Sequence, residues 1–283
     1  MTESISIITA FFDIGRGELP QDKGYPIFTH RTTETYFEYF SNLAELENEM
    51  IVFTSEEYKD KILKIRKEKS TKIIIVNLKK KFHRQLGKIK EVLGNDKFRS
   101  RVNKDMLLNI EYWSPEYILV TNLKTFFVNY AIRKKLVSNN ILSWIDFGYV
   151  RDIGTLNNVK NWYYPFDKDK IHFFTIKKNY PLKKIEDVYD IIFNNKVFII
   201  GGAVAGGKEK WKELYKLQKQ CQNELLKQNI SDDDQGVYFM CLFKNRNLFK
   251  LNYLGKDNWF ALFRKYDRTS KINLTEKLKD IFV

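Results

Sequence analysis

Short runs of β-branched and aromatic residues alternate along this chain with longer stretches of helical apolar spacing. That order restricts the fold more than any other feature. It is the pattern of an α/β fold, a mostly parallel central sheet flanked by helices. Residues 4–12 (SISIITAFF), 50–54 (MIVFT), 72–78 (KIIIVNL), 141–147 (ILSWIDF), 170–176 (KIHFFTI), 196–200 (KVFII) and 248–254 are the expected strands. Between them, Tyr36, Phe37, Phe40, Leu43 and Ala44 mark a helix over 33–46. Thr54 and Glu57 have capping-box spacing for a helix through about Lys67. Phe82, Leu86, Ile89 and Leu93 give the basic stretch 79–104 a helical face. Ser114 and Pro115 form a helix start, as N-cap and first helical residue, for a helix running to about Val137. A glycine-rich turn over 201–207 is expected before a helix to about Lys227, and 231–236 caps a helix over 237–243.

The chain has 283 residues, of which 43% are hydrophobic and 15% aromatic, enough for a sizeable core and too much for disorder. No internal repeat, proline-rich linker or composition break divides it, so one domain over 1–283 is expected. The start, MTESISIITAFFD, has no basic n-region, and no apolar run reaches the roughly 18–20 residues that span a bilayer. A cytoplasmic protein is expected. Cys221 and Cys241 have neither disulfide-framework nor zinc spacing and read as buried thiols, while His30, His83 and His172 are scattered.

The net charge of +14 is a local property. Between Lys59 and Lys104 stand 17 Lys/Arg against 4 Asp/Glu, a net +13, which leaves the rest of the chain at +1. Lysine (38) far exceeds arginine (11) while alanine is scarce (6), a composition that an AT-rich genome would favour.

Two motifs fail in context. Gly202 to Lys208 fits the G-x-x-x-x-G-K part of a phosphate loop, but Glu209 stands where a Ser or Thr hydroxyl would hold Mg²⁺, and no apolar strand ending in Asp follows the next helix. Its small residues serve either close backbone approach to a ligand or tight strand–helix packing. Asp146-Phe147-Gly148 matches a protein-kinase metal motif without the glycine-rich loop, lysine strand or catalytic loop that would accompany it. Asp146 nonetheless sits at the carboxyl end of an expected strand, where open α/β sheets gather their ligands.

A helix bearing Lys124, then W-I-D-x-G at a strand end, a glycine-rich segment and an acidic turn before a C-terminal helix follow the order of parts in GT-A-type (Rossmann-like) nucleotide-sugar glycosyltransferases. More closely, TAFFDIGRG (9–17), WSPEYILVTNLK (113–124), WIDFGYVRD (144–152), the GG…GG segment (201–207) and DDQGVY (233–238) together resemble the HtrL/YibB (WlaTC-like) family, which is linked to bacterial surface polysaccharides. The resemblance covers roughly 5–254. It implies a GT-A-like domain with a nucleotide-sugar-binding half over about 1–152 and an acceptor-side half over about 153–283. It also implies transfer of a sugar, from a UDP-sugar by preference, to a surface polysaccharide, lipopolysaccharide or glycolipid acceptor. Thr9, Phe11, Asp13, Gly15, Arg16, Lys124, Asp146, Phe147, Gly148, Gly201 and Gly202 are then the donor-binding candidates. Arg16 and Lys124 would contact diphosphate, and Asp13 the base or ribose.

Asp146 is the candidate metal ligand for Mn²⁺ or Mg²⁺, although Gly148 stands where a GT-A Asp-x-Asp motif has its second Asp. A metal would therefore need ligands from elsewhere. Asp233, Asp234 and Gln235 are the candidate catalytic residues, with Asp234 as general base in an inverting transfer or as an orienting group in a retaining one. Each carboxylate also has a plain reading as a turn or helix cap.

Two ligands compete for the basic belt. An anionic membrane face or phosphorylated glycolipid would place the protein peripherally on the inner membrane surface. Nucleic acid would call for a binding module and interleaved aromatics, yet only Phe82 and Phe98 lie between Lys59 and Lys104. The membrane reading is favoured over nucleic acid, and a plain solvated flank is the third reading.

Overall fold

The computed structural model describes residues 4–268. Its strands are β1 (Ser6–Phe11), β2 (Met50–Thr54), β3 (Thr71–Ile75), β4 (Ile141–Ile145), β5 (Ile171–Thr175), β6 (Ile199–Gly207) and β7 (Phe249–Tyr253). They form one seven-stranded sheet in the order β3-β2-β1-β4-β6-β5-β7. Every neighbouring pair is parallel except those made by β6, which runs antiparallel to both β4 and β5. The mostly parallel α/β sheet expected from the alternation is therefore present, and it crosses from the first half of the chain to the second at the β4–β6 pair.

The helices are α1 (Thr33–Leu43), α2 (Lys59–Arg66), α3 (Leu78–Lys81), α4 (His83–Leu93), α5 (Asp96–Arg99), α6 (Pro115–Asn122), α7 (Lys124–Arg133), α8 (Ile185–Phe193), α9 (Lys208–Lys227), α10 (Asp234–Lys244) and α11 (Leu262–Lys265). They cover both faces of the sheet, which is why the strands read as continuous apolar runs. Ile8 and Ala10 of β1 join the core with α7 and α9, whereas Ile7 and Phe11 join the other core with α1 and α11. β4 alternates in the same way, with Leu142 and Trp144 on the α7 side and Ile141 and Ile145 opposite. Asp146 follows Trp144 by two residues, and its side chain meets α7.

Several expected elements differ in the structure. The GG…GG segment is part of β6, where the Asp234 carboxylate, the Tyr149 ring and the chain over 168–171 occupy the space that side chains would take. A Cβ on Gly207 would lie 2.2 Å from the Lys168 carbonyl oxygen, and one on Gly206 2.7 Å from Ile171 Cδ1. α9 then starts directly at Lys208 with no intervening loop, and at Gly206 and Gly207 the absence of a side chain answers to packing. The long helix from Ser114 is broken in two at Leu123. Thr121 Oγ1 donates back to the Tyr117 and Ile118 carbonyls, and the Asn122 amide donates to the carbonyls of Ile118 and, across the core, Asp232. Such back-bonding bends helices, and here it makes Lys124 the first residue of α7. Ser114 caps α6 as expected, accepting from Tyr117 N.

The Thr54–Glu57 capping box does not form. Ser55 precedes a 3₁₀ turn at Glu56–Tyr58, and Thr54 Oγ1 is buried without a partner. The basic stretch becomes three helices, α3 to α5, with Ile89 and Leu93 buried and Phe82 and Leu86 packed against the core. α8 was given by no expected element. Both cysteines are buried, and no helix of the described residues is long and apolar enough to cross a membrane.

The crowding at β6 yields a prediction. Gly207→Ala forces the Lys168 backbone to move and is expected to cost about 1–3 kcal/mol, the usual range for overpacking, read as a lower urea midpoint with an unchanged slope.

Candidate active site

The carboxyl ends of β1 and β4 open into a cavity of about 260 Å³, and eleven of the fourteen candidates from the sequence line it: Phe11, Asp13, Arg16, Lys124, Asp146, Phe147, Gly148, Gly201, Gly202, Asp234 and Gln235. The remaining three do not. Thr9 is fully buried within β1 with its hydroxyl unpartnered, Asp233 is buried as the N-cap of α10, and Gly15 belongs to the adjoining cleft.

Lys124 is the centre of the arrangement. Its Nζ lies 2.9 Å from Asp146 Oδ1 and 3.0 Å from Asp234 Oδ2, and donates to the Gly201 carbonyl at 2.8 Å. The break before α7 aims it across the top of β4 toward β6. The Asp234 side chain is only 2% exposed, against 40% for Asp146, so of the two carboxylates Asp146 is the one open to the cavity. Trp144 Nε1 donates to Asp146 Oδ1 at 2.6 Å and fixes the carboxylate from below. The Gly201 site makes room for the second acid, since a Cβ there would lie 2.2 Å from Asp234 Oδ2. A Cβ on Gly202 would strike the Tyr149 ring at 2.9 Å. The ammonium is burial-penalised, yet the two carboxylates hold its pKa above the ordinary lysine value.

Behind this trio lies an acidic group. Asp232, Asp233 and Glu111 are all buried, and a Cβ on Gly236 would strike the Asp232 carboxylate. Burial pushes Glu111 up to about 7, and burial together with repulsion from neighbouring carboxylates pushes Asp233 and Asp234 up to about 7 and Asp232 well above the carboxylate range. Lys124 opposes the shift at Asp233 and Asp234, and Arg16 at Glu111. Asp233 Oδ1 caps α10 through Gln235 N at 2.9 Å, so it does the structural work that the plain reading gave it. Gln235 is among the residues that line the cavity, and its Oε1 is buried without a hydrogen-bond partner.

The first-strand turn is also internally committed. Asp13 accepts from Gly15 N at 2.8 Å and from Thr33 Oγ1 at 2.6 Å, which ties the turn to the start of α1. Gly15 has φ +77°, a left-handed conformation that suits glycine. Arg16 is buried and donates to the Thr29 and Phe28 carbonyls, each at 2.9 Å, and to Tyr36 Oη at 2.7 Å. It holds the loop over 16–31 against α1 while one edge faces the cavity.

Arg31, Arg151, Trp259 and Phe260 also line the cavity and were not read from the sequence. Arg151 stacks over Phe260 at 4.5 Å, and Tyr149 Oη, donating to the Trp259 carbonyl at 2.8 Å, fixes that loop. Arg151 was visible in W-I-D-F-G-Y-V-R-D only as a neighbour of Asp146, and nothing in the sequence marked Arg31.

The donor set does not suit a resident divalent ion. Among the described residues no three His, Cys, Asp or Glu side chains converge as a metal site. Of the three carboxylates that line the cavity, Asp146 and Asp234 are bridged by the Lys124 ammonium, and Asp13 accepts from Gly15 N and Thr33 Oγ1.

A family model described as "Bacterial protein of unknown function (HtrL_YibB)" matches residues 3–268. The chain belongs to the HtrL_YibB family. It is 47% identical over 264 residues to "Protein HtrL" of Escherichia coli (strain K12), covering 93% of each. Among solved structures this family member is similar to mouse xyloside xylosyltransferase 1 in its apo form, at 12% identity and TM-score 0.42, over 87% of this chain and 84% of that one. It is also similar to the 4-diphosphocytidyl-2C-methyl-D-erythritol synthase of Anaerococcus prevotii DSM 20548, at 14% identity and TM-score 0.40, over 99% and 94%. At scores this low neither match defines the fold, which rests on the strand order above.

Two predictions follow from the buried charges. Lys124→Ala leaves two carboxylates without their cation and is expected to cost about 3–5 kcal/mol, measured by urea denaturation at pH 8. A carboxyl whose folded pKa is raised favours the fold most when protonated. Its contribution is full below the unfolded value, near 4, and is lost as pH climbs through about 7. The melting temperature should therefore fall between pH 5 and 8. Asp233→Asn, which keeps the cap, should flatten that slope and raise the melting temperature at pH 8.

Proposed function

We propose that this HtrL_YibB protein is a glycosyltransferase that moves a sugar from a nucleotide-sugar donor, a UDP-sugar by preference, to a surface polysaccharide or glycolipid acceptor. The observation that carries the reading is the Lys124 bridge between Asp146 and Asp234 inside the cavity at the strand ends. Transfer of a sugar needs carboxylates fixed against hydroxyls and positive charge beside a departing phosphate. A second cleft, of about 830 Å³, shares Phe12, Asp13, Ile14 and Val120 with the first and is lined further by Asn77 and Glu57. Together the two match a nucleotide-sugar better than a single small substrate, with the nucleoside in the larger cleft and the sugar beside Asp146. The chain acts as one domain in this reading, because both halves of the sequence contribute to the cavity.

The chemistry assigned to the residues is limited to what their positions allow. Asp146 accepts hydrogen bonds from the ribose or sugar hydroxyls. Asp234, enclosed by Gly201 and Lys124, takes the orienting role and fixes the ammonium. Gln235 lines the wall beside Asp234. Asp233 supports α10 and touches no ligand. No step is routed through a metal ion.

The basic belt is the proposed membrane-facing side. Apart from Arg66 and Lys69, its Lys and Arg residues are exposed. Arg66 is fully buried and donates to the carbonyls of Ala44, Leu46 and Asn48, so it belongs to the core.

Calorimetry with UDP-, GDP-, CMP- and dTDP-sugars, with and without Mn²⁺, tests the donor. At least one is expected to bind, and Asp146→Asn should lower turnover by about 100-fold, the lower end of what loss of one charged or polar catalytic contact costs. Absence of binding across the panel, or unchanged turnover in Asp146→Asn, would overturn the reading.

A further inference from the structure

Three guanidinium groups border one cavity, and only Arg16 among them is committed to the fold. Arg31 and Arg151 make no hydrogen bond or ion pair with any described residue, although Arg31 is half-buried. Arg151 is held over the Phe260 face at 4.5 Å, which orients the guanidinium plane without using its N–H donors. Desolvation and repulsion from Arg31 and Arg16 depress the Arg151 pKa, so the positive charges are near enough to act on one another. Like charges gathered beside a cavity raise the energy of the empty site, and a bound anion relieves it. Planar forks with free N–H groups match phosphate oxygens in pairs.

We propose that Arg31 and Arg151 form a diphosphate-binding clamp that holds the phosphoanhydride of the donor and carries the charge of the leaving group. The inference rests on the transferase reading for its donor, but the anion site stands on its own geometry. It replaces Arg16 and Lys124 as diphosphate contacts, since the first is bonded to loop carbonyls and the second to two carboxylates. In the reaction, the bond between sugar C1 and the distal phosphate oxygen breaks and its electron pair stays on that oxygen. The acceptor hydroxyl oxygen forms the new bond to C1 and releases its proton to solvent or a carboxylate. The nucleoside diphosphate leaves with one more negative charge at the scissile oxygen, and the two guanidiniums, always protonated, offset it without proton transfer.

The full-length protein can be titrated in EDTA with inorganic pyrophosphate and with UDP and GDP. The wild-type protein is expected to bind pyrophosphate with a strong dependence on salt. Arg31→Gln and Arg151→Gln should each weaken that binding about 10-fold, the equivalent of one charge-assisted contact. The double variant should abolish it while its melting temperature stays near wild type, and Arg133→Gln, an exposed arginine at the far end of α7 that lines neither cleft, should leave it unchanged. Pyrophosphate binding that survives unchanged in the double variant, or no binding by the wild type, overturns the clamp. Wild-type rates of sugar transfer in the double variant would remove the clamp and leave the transferase reading intact. Arginine-dependent pyrophosphate binding without turnover of any nucleotide-sugar would do the reverse.

Discussion

A buried ammonium between two carboxylates organises this structure. At about 3 Å and an effective dielectric near 20, each contact is worth roughly 5 kcal/mol, a gain comparable with the several kcal/mol needed to desolvate each ion. Neither side of such an arrangement persists without the other. Much of the nearby sequence follows from that requirement. α6 must end at Asn122 for Lys124 to cross β4, Gly201 must lack a side chain for Asp234 to approach, and Trp144 must present its N–H to Asp146. The small residues of β6 are thus a consequence of charge placement at one end and of backbone crowding at the other.

Elements were legible where local pattern and tertiary context agree. Six of the seven strands were readable, most plainly β1, β2 and β4, which are buried on both faces and carry apolar runs, whereas only Ile199 and Ile200 of β6 fell within an expected strand. The break at Leu123 was not readable, since it depends on Asn122 reaching the Asp232 carbonyl, a contact 110 residues away. The GG…GG segment read as a turn because glycine signals turns locally, whereas here it answers to Lys168 and Asp234, which only the fold brings near. The Thr54–Glu57 box failed for a related reason: β2 keeps Thr54 inside the sheet, so its hydroxyl cannot turn to cap.

The site was partly legible. Asp146 and Lys124 stood out from strand-end position and from the motif order, and the structure brings them within 2.9 Å. Asp13 and Arg16 were conspicuous in a glycine-bounded turn, but their polar atoms are largely spent on Thr33, Phe28 and Thr29. Arg31 was invisible, because a lone arginine in a polar stretch has no periodicity or spacing to mark it. Its significance comes from a neighbour, Arg151, that lies 120 positions on in the chain. Chemistry shared by distant residues leaves little trace in a single sequence.

The charges around the cavity are sorted by depth. Carboxylates gather inside, where Asp234, Asp233, Asp232 and Glu111 are all buried, and the uncommitted guanidiniums of Arg31 and Arg151 border the opening. For the proposed donor, with hydroxyls at one end and phosphates at the other, that field favours one orientation: hydroxyls toward Asp146 and phosphates toward the arginines. Reversal would set phosphate against carboxylate in a partly desolvated space, a repulsion of several kcal/mol on the same Coulomb scale. The belt between Lys59 and Lys104 contributes little to this selection, since its charges are exposed and screened over about 8–10 Å by salt. In the proposed complex, orientation is therefore set by a handful of buried or stacked groups rather than by the large surface charge.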